Sequence, residues 1–588
     1  MQMKKIKKIP YGTASYDKIQ EFNHYFVDKT KYLEILENLD TYHLFFLRPR
    51  RFGKSLWLSI LEHYYDVNKK DRFEELFGDT YIGKNPTPLR NTYPILKLNF
   101  SGIPTDGNSE KIKTSFDLRI RISIESFYFS YPQLCKNFNF KEDYQNTIDS
   151  TDMLAKFLSV MSLNNIKFYL LIDEYDNFAN NILIHHGKER YQRVTHQAGF
   201  LRSFFAAVKN GTESGAIARM FVTGVSPLVL SDVTSGMNIG DNISNKVIFN
   251  SMIGFTQNEV EEMLDYYIDA EVVKKEERSE IIELMQYNYN NYCFSENVDE
   301  KVYNSDMILY FFNNYSQEKK IPSNLIDENV RIDYGKLRYL ILEDQKLNGN
   351  FSILADIIET GQTQSTLIHS FALSDIVEKD KFKSFLYYLG LLTIKEHYFA
   401  SKYLLTIPNE VIKVMHYGYI RQALTEQFKL RIDTDLLERE FSNTAFNGDW
   451  QKLFTYILDE FYAASSLRDF VLREHSIKMF LLAYLNVTPL YFIESEPEMH
   501  RGYADFFFRK NYFTTDLTNY EYLVELKYIK SDDLPAAPDK LEALIDTVKQ
   551  EAVTQLLNYK KSRKITCKLI QLVIICSSRE VLLIEEVK

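Results

Sequence analysis

Short apolar runs alternate with helical patterns over the first 254 residues. Strands are predicted at 43–47 (HLFFL), 94–100 (PILKLNF), 168–172 (FYLLI) and 217–223 (IARMFVT), with helices at Ser55–Tyr65, Ser109–Ser130, Asp152–Leu163 and Val194–Lys209. Strands alternating with helices in this way predict a parallel sheet covered on both faces. Asp28-Lys29-Thr30 ahead of Tyr32-Leu33 reads as a capped helix leading into that sheet. From about Phe255 the period becomes helical and stays so to about Phe470, with short strand-like pieces near 391–407. Thr256 followed by Glu259 has the spacing of a capping box. The final segment returns to mixed structure: a helix over Asp469–Leu485, strands at 489–494, 503–509 and 521–528, a helix over 539–559 and a strand at 568–576. Three regions follow, 1–254, 255–465 and 466–588: an α/β parallel-sheet domain, a helical lid and connecting region, and a second α/β domain.

A chain of 588 residues is too long for one core. Its 45% hydrophobic and 26% charged residues are ordinary for a soluble globular protein. The oddity is 41 Tyr and 42 Phe against 2 Trp, rings that serve either as core or as base-stacking surface. A net charge of −10 weighs against non-specific coating of nucleic acid, but binding depends on clustered charge rather than totals. Lys527, Lys530, Lys560, Lys561, Arg563, Lys564 and Lys568 do gather in the last segment. Four cysteines without a CxxC pair indicate neither zinc ribbon nor disulfide framework. MQMKKIKKIP has no apolar run behind it, and no stretch approaches the roughly 20 apolar residues of a membrane span, so a cytoplasmic protein without membrane contact is expected.

The predicted strand 43–47 runs into RPRRFGKSL, which places Gly53, Lys54 and Ser55 between a strand and a helix. A phosphate loop needs backbone N–H groups, a helix N-terminus, a lysine for charge and a hydroxyl for Mg²⁺. Arg48 stands where the usual pattern has its first glycine; Pro49 stiffens the loop, and Arg48, Arg50 and Arg51 add positive charge. The apolar strand 168–172 ends in Asp173-Glu174-Tyr175-Asp176. Asp173 there can reach Mg²⁺ through water or Ser55, and Glu174 can orient an attacking water. Strand 94–100 falls between the two motifs, an insertion like that of additional-strand ATPases, and is expected to lie between them in space. Thr223, at the end of strand 217–223, is placed to sense a γ-phosphate. The expected nucleotide set is therefore Arg51, Phe52, Gly53, Lys54, Ser55, Leu56, Asp173 and Thr223, with Glu174 catalytic and Arg202 and Arg219 the arginines considered as a finger.

Metal-assisted phosphodiester cleavage needs carboxylates around Mg²⁺ and a lysine near the attacking water. Asp505 is expected on the strand 503–508, and Glu525 and Lys527, two apart on the next strand, project from one face. Glu474 upstream and Gln555 and Tyr559, four apart on a helix, are accessory candidates. Asp505 and Glu525 are the expected metal ligands. His185, His186 and His196 read as residues flanking a solvated loop, and the run Lys560–Lys564 as a helix end or part of a groove.

Together, YFVDKT, FLRPRRFGKSL, YPILKLNFS, LLIDEYD, FVTGVSPL and YNNYCFS resemble the bacterial AAA-ATPase-like proteins, and GYADFFF, YLVELKY and QLLNY resemble the PD-(D/E)XK nuclease-superfamily domain that such proteins carry at the C-terminus. The resemblance covers roughly the first 300 and last 120 residues. It implies a P-loop, additional-strand ATPase domain and a restriction-endonuclease-like domain. It also implies ATP and Mg²⁺ as cofactors and nucleic acid as partner, DNA ahead of RNA, with a homo-oligomer left open. By the same resemblance Lys54 and Ser55 bind phosphate and Mg²⁺, Asp173 and Glu174 are the metal-linked and catalytic acids, and Asp505, Glu525 and Lys527 form the nuclease centre. One departure stands out: the family often has GRAD where this chain has Gly502-Tyr503-Ala504-Asp505, with Arg501 shifted by two. Two functions are compatible with this, a nucleotide-controlled nuclease and a nucleotide switch whose nuclease-like domain binds nucleic acid or a protein without cutting.

Overall fold

The computed structural model describes residues 6–587 apart from 136–143, 145–146, 197–198, 234–239, 328–336, 338–339, 344–345, 348, 429, 431, 466–473, 501, 512–516 and 561–563. Arg501, Lys561, Arg563 and the expected helix start at Asp469 therefore lie outside the described residues. The chain forms two compact units, Met1–Tyr339 with Gln364–Glu410, and Leu340–Thr363 with Val411–Lys588.

In the first unit, parallel strands β1 (His43–Leu47), β2 (Ile95–Asn99), β3 (Phe168–Asp173), β4 (Ile217–Gly224) and β5 (Asp241–Asn242) form a sheet in the order β2-β3-β4-β1-β5. All six residues of β3 are buried, as a strand covered on both faces requires. Helices Lys54–Tyr65, Ser109–Ser130, Ser150–Leu163 and Phe200–Glu213 provide the cover. Much of the aromatic content is core: Phe116 meets Phe204 at 5.3 Å and Phe100 at 5.4 Å, and Phe157 meets Phe168 at 5.3 Å. Each such buried ring is worth about 2 kcal/mol of apolar transfer. The strand that separates β1 from β3 is β4, whereas the 94–100 strand lies on the outer side of β3. Order along the chain does not fix order in a sheet, and the inserted strand comes from further downstream. His185 and His186 belong to the helix Asn177–Thr195 rather than to a loop, and His186 Nε2 meets the Thr105 carbonyl at 2.5 Å.

The helical region begins with Gln257–Asp269, whose capping box is complete: the Glu259 N–H donates to Thr256 Oγ1 (3.4 Å) and the Thr256 N–H to Glu259 Oε2 (2.8 Å). Glu259 also takes Lys29 Nζ at 2.7 Å, which ties the Asp28-Lys29-Thr30 segment to this helix. Asp28 Oδ1 in turn accepts the Thr30 N–H (2.8 Å) at the entrance to helix Lys31–Glu37. Helices Arg278–Tyr289 and Ser305–Glu318 follow, and the strand-like pieces near 391–407 are the antiparallel pair Thr393–Phe399 and Lys402–Thr406.

Arg48 does not add charge to the phosphate loop. Its side chain turns into the interior, 1% exposed, between the rings of Phe46 (4.4 Å) and Phe294 (4.2 Å). Nη1 donates to the carbonyls of Leu47 (3.0 Å) and Ser244 (2.6 Å), and Nη2 to that of Phe249 (2.9 Å). Ser244 answers through its Oγ, which accepts the Leu47 N–H at 2.7 Å. The neighbouring Pro49 packs where Gly390 has φ +77°; a Cβ there would stand 2.7 Å from the proline ring.

In the second unit, β6 (Tyr491–Ser495), β7 (Phe506–Lys510), β8 (Tyr520–Ile529), β9 (Lys568–Ser577) and β10 (Val581–Glu586) run in that order across one sheet. Only β8 and β9 are parallel, because helix Pro538–Tyr559 carries the chain across between them. Leu523, Val573 and Ile575 pack with Ala552, Leu556 and Tyr559 of that helix. Phe508 meets Phe454 at 5.7 Å, on helix Gln451–Ser465. The strand β10 was not expected from the sequence. Asp505 is not on a strand: it occupies a bend between the short strand Gly502–Tyr503 and β7.

Removing the Arg48 side chain takes the guanidinium donor from the Ser244 carbonyl and leaves the Phe249 carbonyl only the Met252 N–H at 3.4 Å. Arg48→Ala is expected to cost about 3 kcal/mol, seen as a urea transition at lower denaturant. A transition unmoved within error would show that the guanidinium is not an anchor.

Candidate functional site

Gly53, at φ +95°, opens helix Lys54–Tyr65, a backbone turn that suits glycine. Arg51 adopts φ 67° just before it, and its carbonyl accepts the Asp306 N–H (3.2 Å) at the start of helix Ser305–Glu318. Arg51 Nη1 lies 3.5 Å from Asp306 Oδ2. Burial pushes the Asp306 carboxyl up to about 6, against the pull of Arg51. Sequence reasoning missed this helix as part of the site. Asn304 caps it by accepting the Asp306 and Met307 N–H groups, a local signal that was available.

Arg51, Phe52, Gly53, Lys54, Ser55 and Leu56 all border one cavity of about 350 Å³, and Glu174 faces it from the end of β3. Elsewhere the cavity is bordered by apolar groups such as Phe26, Ile253 and Leu309 and by polar ones such as Lys29, Asn177 and Asp306. The Phe52 ring itself is buried edge-on against Tyr292 (4.9 Å) and Phe294 (5.4 Å), so its backbone is what the loop uses. Lys54 is 6% exposed, and its Nζ donates to the carbonyls of Arg48 (2.9 Å) and Pro49 (2.8 Å). Burial lowers its pKa to about 8, while Glu174, Asp173 and Asp176 favour the charged form.

Behind Lys54, Asp173 is buried and its Oδ1 accepts the Thr223 hydroxyl at 2.8 Å. Thr223 is thus paired to the acid at the end of β3, one strand away from the loop strand. Glu174 sits at φ 49°, a left-handed conformation that costs a non-glycine residue about 1 kcal/mol or more. Burial raises its pKa, opposed by Lys54. Asp176 serves the fold, since its carboxylate accepts the N–H groups of Val225 and Ser226, both at 3.1 Å. Gly224 makes room for this, because a Cβ there would lie 2.3 Å from the Tyr175 ring. Arg219 is buried with its guanidinium 5.2 Å from the Tyr42 ring, away from any exposed position a finger would need.

In the second unit, Glu525 Oε1 accepts from Lys527 Nζ at 2.8 Å, and the Leu526 N–H between them donates to Asp505 Oδ2 at 2.8 Å. The bend at Asp505 and the strand β8 therefore bring all three expected residues together. Glu525 is 3% exposed, and its Oε2 is buried without a hydrogen-bond partner. Burial and the adjacent Asp505 carboxylate push Glu525 up to about 7, with Lys527 opposing. Tyr559 reaches the same place: its ring lies against Gly502, and Glu525 and Asp505 add to burial in raising its pKa. Gln555, one turn earlier, has a buried Oε1 without a partner. Glu474 is exposed, 3.4 Å from Lys478 Nζ. Lys478 is the residue that sequence reasoning missed; its Nζ lies 2.5 Å from Asp505 Oδ1. Its position four residues after Glu474 on a helix was the available signal. Among the described residues no group of three or more His, Cys, Asp or Glu is arranged to hold a metal ion.

A lysine-bearing phosphate loop with an acidic strand end, and a carboxylate–lysine pair on a mixed sheet, define a nucleotide-binding domain joined to a nuclease-like one. Comparison with known families agrees: residues 10–234 match the family described as predicted AAA-ATPase, and residues 472–586 match the PD-(D/E)XK nuclease superfamily. The chain is a two-domain protein combining an N-terminal AAA-ATPase-like domain with a C-terminal PD-(D/E)XK nuclease-superfamily domain, separated by a helical middle region. A curated relative, an uncharacterized protein in the vnfD 5' region of Azotobacter chroococcum mcd 1, is 26% identical over 328 residues, which are 55% of this chain and 56% of that protein. The chain thus spans about half the length of the curated relative it matches. Among solved structures, the Walker-type ATPase paby2304 of Pyrococcus abyssi aligns with a TM-score of 0.38 and 11% identity over 66% of this chain and 94% of that one. No helix among the described residues is long and apolar enough to cross a membrane.

The raised Glu525 pKa has a stability consequence of definite sign. The folded protein keeps this proton where the unfolded chain, titrating near 4.5, has lost it. Its contribution is therefore complete below about 4.5 and lost as pH rises through about 7. In metal-free protein, Glu525→Gln should gain stability relative to wild type across that window, on the order of 3 kcal/mol in total. Parallel melting-temperature curves against pH for the two proteins would contradict the assignment.

Proposed function

We propose that the chain binds and hydrolyses ATP and that its nucleotide state controls Mg²⁺-dependent phosphodiester cleavage, with DNA as the substrate, by the C-terminal domain. The observation that carries this reading is the junction of Asp505, Glu525 and Lys527 around the buried, unpartnered Glu525 Oε2. An acceptor oxygen buried without a partner costs roughly 1–3 kcal/mol, a cost that a bound cation would offset. Carboxylate oxygens are the donors that Mg²⁺ prefers, so the residues present fit that ion. When bound, Mg²⁺ would supply Lewis-acid stabilisation of charge on the phosphate. Asp505 and Glu525 would hold it, Lys527 would stand beside the attacking water and stabilise its deprotonated form, and Tyr559 and Gln555 would border the substrate.

At the other site, Lys54 would leave the loop carbonyls for the β- and γ-phosphates, and the N–H groups from Gly53 to Leu56 would line the phosphate chain. Ser55 and Asp173 would hold the nucleotide's Mg²⁺. Glu174 would orient the attacking water, and Thr223, through its hydrogen bond, would keep Asp173 in place. A second reading is a nucleotide switch whose nuclease-like domain binds nucleic acid or a protein without cutting. It is favoured by one contact, the 2.5 Å pairing of Asp505 with Lys478, which engages a carboxylate oxygen that cleavage would need.

The test is cleavage of supercoiled and linear single-stranded DNA with Mg²⁺ or Mn²⁺, with and without ATP. Wild type should cut, Lys527→Ala should fall by about 100-fold or more, and Lys54→Ala should lose the response to ATP. ATP hydrolysis without cutting of either DNA would favour the switch.

A further inference from the structure

Lys478 brings a buried positive charge into the carboxylate centre of the second unit. It projects from helix Glu474–Leu485 with its side chain 8% exposed. Its Nζ lies 2.5 Å from Asp505 Oδ1, 3.4 Å from Glu474 Oε1 and 3.6 Å from Glu496 Oε1. Glu496 is held in reach by a backbone at φ 49° and by its N–H, which donates to the Asp505 carbonyl at 3.2 Å. An ammonium among three carboxylates, at hydrogen-bond distance from one, is placed as a small cation would be.

The arrangement divides the centre in two. On one side, Lys478 engages Asp505 Oδ1, Glu474 and Glu496. On the other, Lys527 engages Glu525 Oε1, and the buried Glu525 Oε2 has no hydrogen-bond partner. Four carboxylates and two ammonium groups leave a formal charge of −2, which one divalent ion cancels. Without Lys478 the charge is −3, one divalent ion leaves −1, and Asp505, Glu474 and Glu496 lose the cation that stands among them.

We propose that Lys478 is a resident cation that occupies the position of a second divalent ion, so that this centre binds one metal ion, on the Glu525 side. The proposal rests on the metal-centre reading of Asp505 and Glu525. It makes Lys478 a positioning residue: it holds Asp505 through Oδ1 and leaves the ion to be shared between Asp505 and Glu525.

The test counts metal directly. Mn²⁺ is titrated into nucleotide-free full chain at about pH 8, and the free ion is read by its electron paramagnetic resonance signal. Binding by an Asp505→Ala/Glu525→Ala double variant is subtracted. The expected count is one Mn²⁺ for wild type, two for Lys478→Met, and one again for Lys478→Arg. Lys478→Gln, closer in polarity, is carried in parallel in case the methionine variant does not fold, and should also bind two. Two ions in wild type, or one in the Met or Gln variant, would overturn the proposal while leaving the metal centre intact. A count of zero in wild type and variants alike would overturn the metal-centre reading and the proposal with it.

Discussion

The phosphate loop of this protein is held from behind by a buried arginine. With its guanidinium between two rings and donating to three backbone carbonyls, Arg48 joins the end of β1 to the segment at Ser244–Phe249, about two hundred residues on. A lone buried guanidinium would be intolerable; one whose Nη1 and Nη2 donate to carbonyls between two ring faces is a rivet, even with its Nε buried and unpartnered. Burial still pulls its pKa down to about 10, so it remains charged at neutral pH. The loop can then do without a first glycine, because its entry is fixed by side-chain anchoring rather than by a tight backbone turn. From the other side, Asp306 and Ser305 hold the Arg51 carbonyl, so the loop is gripped at both ends before Gly53 begins the helix.

The two sites share one electrostatic plan. Each places a lysine where burial alone would discharge it and keeps it near acids. Lys54 is surrounded by the field of Glu174, Asp173 and Asp176, and Lys478 by that of Asp505, Glu474 and Glu496. The outcomes differ because the distances differ. Lys478 has an acid in hydrogen-bond contact and is raised, whereas Lys54 binds only carbonyls and is lowered. A group poised near neutrality can exchange partners, and a firmly charged one suits a fixed place in a cluster.

What was legible in the sequence was local. HLFFL and FYLLI appear as buried strands because covered parallel strands must be apolar on both faces, and the Thr256 capping box spans only four residues. Glu525 and Lys527 share a strand face by the two-residue repeat alone. What was not legible depended on distant partners. Arg48 reads as loop charge until Ser244 and Phe249 are placed beside it. The spatial neighbour of β1 is β4 because of pairings between residues some 175 positions apart, which chain order cannot supply. Asp505 leaves the strand because its carboxylate must turn to reach the Leu526 N–H, and Lys478 gains meaning only when the bend at Asp505 meets its helix.

The close approach of Pro49 to Gly390 has a consequence for how the molecule is made. Gly390 belongs to 364–410, a stretch that rejoins the first unit after the chain has already contributed 340–363 to the second. The residue that packs against Pro49 is therefore synthesised more than three hundred residues after the loop itself. Domains generally fold as units while the chain emerges from the ribosome, N-terminal first. Here the earlier unit cannot close until residues near 410 are out, and by then part of the later unit is already waiting. The cavity itself is lined by residues no later than Leu309, so what this return adds is the packing behind Pro49.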